Sequence, residues 1–114
     1  MVNKWEIYFC CLDPTQGSEQ RGTRPVLIIS TDSVNHNLTV STVLPLSSIK
    51  GGEKIYPTEV LLPTEVTGLP RLSVAMVQQI RTVSHSHLTN KAGIITDTAT
   101  REKIADACRN YFDL

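Results

Sequence analysis

Leu12-Asp-Pro-Thr-Gln-Gly-Ser-Glu-Gln-Arg-Gly-Thr-Arg-Pro-Val-Leu-Ile-Ile-Ser30 runs from a polar segment into an aliphatic one. Asp13 to Gly22 carries one Pro and two Gly with no apolar periodicity, which makes it a loop. At about ten residues it is longer than an ordinary hairpin connection. Long ordered loops on small scaffolds often carry function. Pro25 to Ser30 is consecutive aliphatics, and predicts a strand buried on both faces. Pro25 fits its first residue, where no ladder N–H is needed.

Working outward, Glu6 to Leu12 is short, apolar and aromatic-rich, and predicts a strand. Residues 31–38 read as a turn or short helical turn, rich in Asp and Asn. Leu38 to Leu46 is β-branched and predicts a third strand, ended by Ser47-Ser48. Gly51-Gly52 marks a loop. Tyr56 to Leu62, bounded by Pro63, predicts a fourth strand, and Thr67-Gly-Leu-Pro70 a turn. Arg71 to Val77 and Gln79 to Val83 predict two further strands, or one with a bend. Ser84 to Leu88 reads as a turn or helical loop. Thr96 or Asp97 can N-cap a helix reaching about Phe112. Its Ile104, Cys108 and Tyr111, spaced i, i+4, i+7 with Ala107 beside them, predict one stripe against the sheet. The expected class is mainly β (α+β). It is a small β-barrel or strongly curved sheet of five to seven short strands with a C-terminal helix, one domain over residues 1–114.

The composition bounds the function. With 40% hydrophobic and 19% charged residues, 114 residues bury roughly two-thirds of their surface, enough for a core without staples. Eleven Lys+Arg balance eleven Asp+Glu, which excludes binding nucleic acid by bulk charge. The cancellation is uneven, however. Residues 20–52 sum to +2 and residues 66–96 to +3, while 1–19, 53–65 and 97–114 sum to −2, −2 and −1. Three cysteines, two of them adjacent, make a poor disulfide framework and point to a reducing compartment. No signal peptide and no membrane-length apolar run is visible, so the expected location is the cytoplasm.

Several constellations could carry chemistry. Glu19, Gln20, Arg21 and Arg24 concentrate a carboxylate, an amide and two guanidiniums around the loop. A guanidinium fixed at a strand start can bind phosphate bidentately and neutralise developing charge. A structural pair of Glu19 with Arg24 or Arg21 accounts for the same residues. Ser47 and Ser48 can touch a phosphate oxygen or simply close a turn. Gln79 and Arg81, two apart, would share one strand face and can bond bases or phosphates, or form a solvated face. His85-x-His87 has no evident third ligand, so no metal is expected. His36 reads as a surface turn residue. Cys10 is a nucleophile only beside a base, and Cys10 and Cys11 should point to opposite faces.

The block 12–30 closely resembles the signature of the MazF/PemK (Kid) toxin family. Val43-Leu-Pro-Leu-Ser47-Ser48 is similar to that family's valine-x-proline-isoleucine-threonine-serine strand end. Gln79-Ile-Arg-Thr82, followed by Leu88 and Lys91, is similar to its late strand. The resemblance runs in order along essentially the whole chain. It implies an SH3-like barrel, a homodimer, and a sequence-specific, metal-independent endoribonuclease without cofactor, the toxin of a type II toxin–antitoxin pair. It implies single-stranded mRNA as substrate: the 2′-hydroxyl attacks the adjacent phosphate to leave 2′,3′-cyclic phosphate and 5′-hydroxyl ends. A cognate antitoxin would fill the same groove. By correspondence Arg24 is the catalytic arginine and Ser47 stands at the catalytic threonine. The resemblance places Ser18, Glu19, Gln20, Arg21, Thr23, Ser48, Gln79 and Arg81 at the RNA.

Three positions depart from the family pattern. Ser47 keeps the hydroxyl but loses the β-branched stiffness of threonine. Gln78 stands where an acid usually precedes Gln-Ile-Arg, and Ser18 where the Kid branch has a histidine, so the MazF-type pair Arg24 and Ser47 remains. Lys4-Trp5-Glu6 replaces an Arg-Gly-acid start to the first strand. These departures keep alternatives in view: a non-cleaving or degenerate RNA-binding homologue, or, less well supported by the 12–30 block, a gyrase inhibitor of the CcdB type on the same fold.

Overall fold

The structure is a computed structural model, and it describes residues 1–13, 16–19 and 22–114. The strands are β1 (Glu6–Cys11), β2 (Thr23–Ile28), β3 (Val40–Ser48), β4 (Glu59–Leu62), β5 (Ser73–Met76), β6 (Arg81–Ser84) and β7 (Leu88–Ile94). The helices are α1 (Asp32–Asn37), α2 (Thr64–Thr67) and α3 (Thr98–Phe112), with 3₁₀ turns at Val77–Gln79 and His85–His87. One antiparallel sheet runs β4-β5-β3-β2-β1-β7, with β6 also pairing β3. Among the described residues the ends of this path, β4 and β7, are not bonded to each other, so the sheet is not closed. Helices cover its two edges: α3 contacts β4, and α2 contacts β7.

Apolar residues fill both faces of β2, as its consecutive aliphatics require. Leu27 joins Ile7, Leu44, Leu46, Ala75, Ile95 and Ile104 in the larger core, to which α3 contributes Ile104 and Ala107. Val26 and Ile28 join Cys10, Leu12, Val43 and Val83 in a smaller core on the other face. Cys10 is buried and Cys11 exposed, the opposite-face arrangement expected of neighbours on a strand.

Asp97 caps α3, accepting from the backbone N–H of Thr100 at 3.0 Å and from its hydroxyl. The buried stripe is Thr100, Ile104 and Ala107. Cys108 is half-buried and Tyr111 is exposed, so the buried stripe lies one turn N-terminal to the expected one, sharing Ile104 and Ala107 with it. β7 was not expected from pattern, because its Thr-Asn-Lys centre is polar and exposed on an edge. Register shifts along β1–β7 disrupt that edge. Gly93 is required there: a Cβ would stand 2.1 Å from the Thr67 carbonyl oxygen of α2.

Candidate functional site

Two prolines shape the site. In β2 alternate residues face the same neighbour. Ile29 N donates to Thr42 O of β3 at 3.0 Å, so Leu27 and Pro25 also face β3. Pro25 offers no N–H there, and the β2–β3 ladder ends at Val26 opposite Pro45. β2 itself begins earlier than expected, at Thr23, so Pro25 is its third residue. Pro45 occupies the other switch. By the same alternation its nitrogen faces away from β2, at the point where β3 changes partner from β6, paired through Val43, to β5, paired from Leu46. The missing Pro25 donor thus ends one ladder, and the missing Pro45 donor falls in the gap between two.

Two residues beyond the last ladder pair, on either strand, stand Arg24 and Ser47. Strand alternation puts them on one face with Val26, Pro45 and Val43. Arg81 is directly opposite Val43 across β3–β6 and shares that face. Arg24 and Ser47 are both half-buried, and Ser48 beside them is exposed. Ser47 and Ser48 are the last two residues of β3 rather than a turn after it. Their positions are fixed by pairing with Val74 and Ser73.

The loop is tied down at its base and its middle. Leu12 N donates to Gly22 O at 2.9 Å, and Gly22 N donates to the Asp13 carboxylate at 3.1 Å. Gly22, with φ of +79°, makes the turn into β2. The exposed Glu19 carboxylate accepts from Gln16 N at 2.6 Å, so it serves the loop's own turn. The Gln79 amide donates to Ser18 O at 3.1 Å, and the Arg81 guanidinium to Leu12 O at 3.2 Å. Gln79 is in the 3₁₀ turn, not on a strand beside Arg81 as expected, and both side chains hold the loop over the small core. Gln20 and Arg21 lie outside the described residues.

Other candidates are absorbed by the fold. Burial pushes the Cys10 thiol up, which suits a core residue and not a nucleophile. His85 Nε2 lies 2.7 Å from the Ser41 hydroxyl, which also donates to Asn35 Oδ1 at 2.7 Å, so this imidazole is bound into a polar network under α1. His36 is exposed and bonded to Asn3. The Gln78 amide accepts from the Thr58 hydroxyl at 2.9 Å and donates to the Glu59 carboxylate at 3.3 Å, so a carboxylate does stand beside the position where the family pattern has one. Glu6 is buried. Desolvation pushes its carboxyl up, but the Lys91 ammonium at 2.8 Å, the Asn3 N–H and the Tyr8 hydroxyl outweigh this and hold it below the usual range.

Beyond the end of the β2–β3 ladder lies a cavity of about 300 Å³ lined by Phe9, Pro25, Leu46, Leu69 and Pro70, with Arg24, Ser48 and Arg71 among its polar groups. A second depression of about 640 Å³, also reaching Ser48 and Arg71, extends to Lys50 and Glu53. Sequence reasoning did not single out Phe9, Pro70 or Arg71. The only signal for Arg71 was its membership of the acid-free stretch 66–96.

The model of the PemK-like, MazF-like toxins of type II toxin–antitoxin systems matches residues 3–112. The chain belongs to this toxin family. Among its curated PemK/MazF-like relatives, endoribonuclease MazF9 of Mycobacterium tuberculosis is 33% identical, over 100% of this chain and 98% of the relative. Endoribonuclease EndoA of Bacillus subtilis is 35% identical, over 85% of this chain and 83% of the relative. Among solved structures, the Mycobacterium tuberculosis toxin MazF-mt6 superposes with a TM-score of 0.76 at 29% identity, covering 96% of this chain and 97% of that one. The open antiparallel sheet with its C-terminal helix is thus the fold of MazF toxins.

Proposed function

We infer that this toxin is a sequence-specific, metal-independent endoribonuclease acting on single-stranded mRNA. The observation that carries the reading is the placement of Arg24 and Ser47 on one sheet face, two residues past the last β2–β3 pair, in a chain whose relatives are named endoribonucleases. As the RNA 2′-oxygen loses its proton to solvent and bonds to the adjacent phosphorus, negative charge builds on the phosphoryl oxygens and the bond to the 5′-oxygen breaks, that oxygen taking up a proton from solvent. The Arg24 guanidinium can neutralise that charge and hydrogen-bond the leaving oxygen. Ser47 orients the phosphate through its hydroxyl. The products carry 2′,3′-cyclic phosphate and 5′-hydroxyl ends. Glu19, committed to Gln16, is not assigned the role of base. Ser18, Glu19, Gln20, Arg21, Thr23, Ser48, Gln79 and Arg81 are proposed around the RNA, Gln79 and Arg81 also through the loop they hold.

The same reading makes residues 1–114 a single toxin domain, working as a homodimer in the cytoplasm and silenced by a cognate antitoxin in the same groove. No helix among the described residues is long and apolar enough to cross a membrane. One observation favours a degenerate, RNA-binding homologue instead: Gln78 replaces an acid and is bound to Thr58 and Glu59. Incubating purified protein with several long RNAs in EDTA separates the two. Discrete fragments ending in 2′,3′-cyclic phosphate support cleavage, and intact RNA at high enzyme excess refutes it.

A further inference from the structure

We propose that the cavity beside Arg24 is a nucleotide subsite, seating one RNA base against Phe9 and Pro70 with its phosphate on Arg71. The proposal takes its ligand class from the RNA reading above. Three observations carry it. The cavity is small, at about 300 Å³, the low end for a ligand site, which suits one planar ring system and no more. Its wall presents a partly exposed aromatic, Phe9, held in register opposite Pro25. Aromatic faces of this kind take unstacked single-stranded bases. Third, the Arg71 guanidinium has no hydrogen bond or ion pair among the described residues. By contrast, Arg81 is bonded to Leu12 O, Arg101 to Ile95 O and Arg109 to Asp106. Among the described residues, Arg71 therefore has its donors available in the lining of this largely apolar cavity.

The charge of the surroundings selects an anion. Arg24 lines the cavity, and Lys50 lines the adjoining depression that shares Ser48 and Arg71 with it. The acid there, Glu53, accepts from Lys50 N at 3.0 Å and caps its own loop. Arg24 and Arg71 thus line the cavity, and Arg71 and Lys50 the depression that adjoins it, a local concentration of positive charge suited to a phosphate-bearing ligand. Arg24 is shared between the proposed catalytic face and this cavity, so the seated base belongs to a nucleotide next to the scissile phosphate. The subsite is thereby a determinant of which sequence is cut.

The test is amide-shift mapping on isotope-labelled full-length protein, titrated with the four nucleoside 3′-monophosphates, the four nucleosides and inorganic phosphate. At least one nucleotide should shift the Phe9, Leu69 and Arg71 amides saturably, and its nucleoside and free phosphate should bind more weakly. Phe9→Ala should weaken the nucleotide by about 5- to 100-fold. Arg71→Gln should reduce nucleotide affinity to that of the nucleoside. Absence of shifts at the cavity overturns the proposal. So does phosphate binding as tight as the nucleotide and untouched by Phe9→Ala. Because mononucleotides are not cleaved, the two readings fail separately. Binding with RNA left intact in EDTA refutes the ribonuclease, and cleaved RNA with no nucleotide at the cavity refutes the subsite.

Discussion

Trp5 offers a sharp test of how the first strand begins. It stands where the family pattern has glycine, and its φ is +76°, the left-handed region that a side chain makes costly. The backbone has no freedom to relax: Trp5 N donates to Ile28 O at 2.8 Å and Ile95 N donates to Trp5 O at 2.9 Å. The indole offsets the strain. It packs on the larger core, with the Lys4 ammonium 5.1 Å and the Arg101 guanidinium 5.3 Å from the ring centroid. Each cation contributes about 0.5–1 kcal/mol at such a site. Trp5→Ala loses these contacts and keeps the strained backbone. Trp5→Gly loses the same contacts but removes a strain of about 1–2 kcal/mol. Glycine's greater freedom in the unfolded chain returns about 0.4–1 kcal/mol of that. Both variants should be less stable than the parent, with Trp5→Gly above Trp5→Ala by about 1 kcal/mol, reversing the usual order. Urea unfolding followed by far-UV circular dichroism measures it, since Trp5 is the only tryptophan and its fluorescence is lost in both variants. At about 1–3 kcal/mol/M the glycine midpoint should lie several tenths molar higher. Equal midpoints, or a higher one for alanine, refute the strain argument.

Further expectations follow the site and the fold. Arg24→Ala should lower the cleavage rate by about 10²- to 10³-fold with an unchanged circular dichroism spectrum, and normal cutting would remove Arg24 from the reaction. Ser47→Thr restores β-branched stiffness to the hydroxyl and should preserve or raise the single-turnover rate; a large loss would break the correspondence with the family's threonine. Gly93→Ala sets a methyl against the Thr67 carbonyl oxygen and should cost about 1–3 kcal/mol or more, read as a drop in thermal midpoint. The buried Glu6 carboxyl is held below its unfolded range, so it stabilises the fold above that range. This contribution is lost as pH falls through the depressed folded value. Glu6→Gln should flatten the acid limb of the urea midpoint against pH, and an unchanged slope would show that the Lys91 pair contributes nothing there.

Much of the fold was legible because its signals are local. Consecutive aliphatics gave β2, and Asp97 before a helical period gave α3. The β7 strand was hidden, because an edge strand with polar, exposed positions lacks the alternation that betrays a buried one. The expected stripe is buried one turn earlier, through Thr100, Ile104 and Ala107 and not out to Tyr111, since how far along a helix its apolar side stays covered depends on the surface beneath it. For the site, order along the chain named Arg24 and Ser47, but not what the loop contacts do. Gln79 and Arg81 read as ligand-binding groups, and the structure has them holding Ser18 and Leu12.

The sequence alone determined a small mainly β domain, the toxin family, and the polar loop leading into Arg24-Pro25, because composition, period and motif are written along the chain. Only the tertiary structure decided that the sheet stays open, and that two prolines end one ladder and switch another beside Arg24 and Ser47. It also decided that Phe9, Pro70 and Arg71, far apart in sequence, line one cavity. Pairing partners and cavities arise between segments, so no local pattern encodes them.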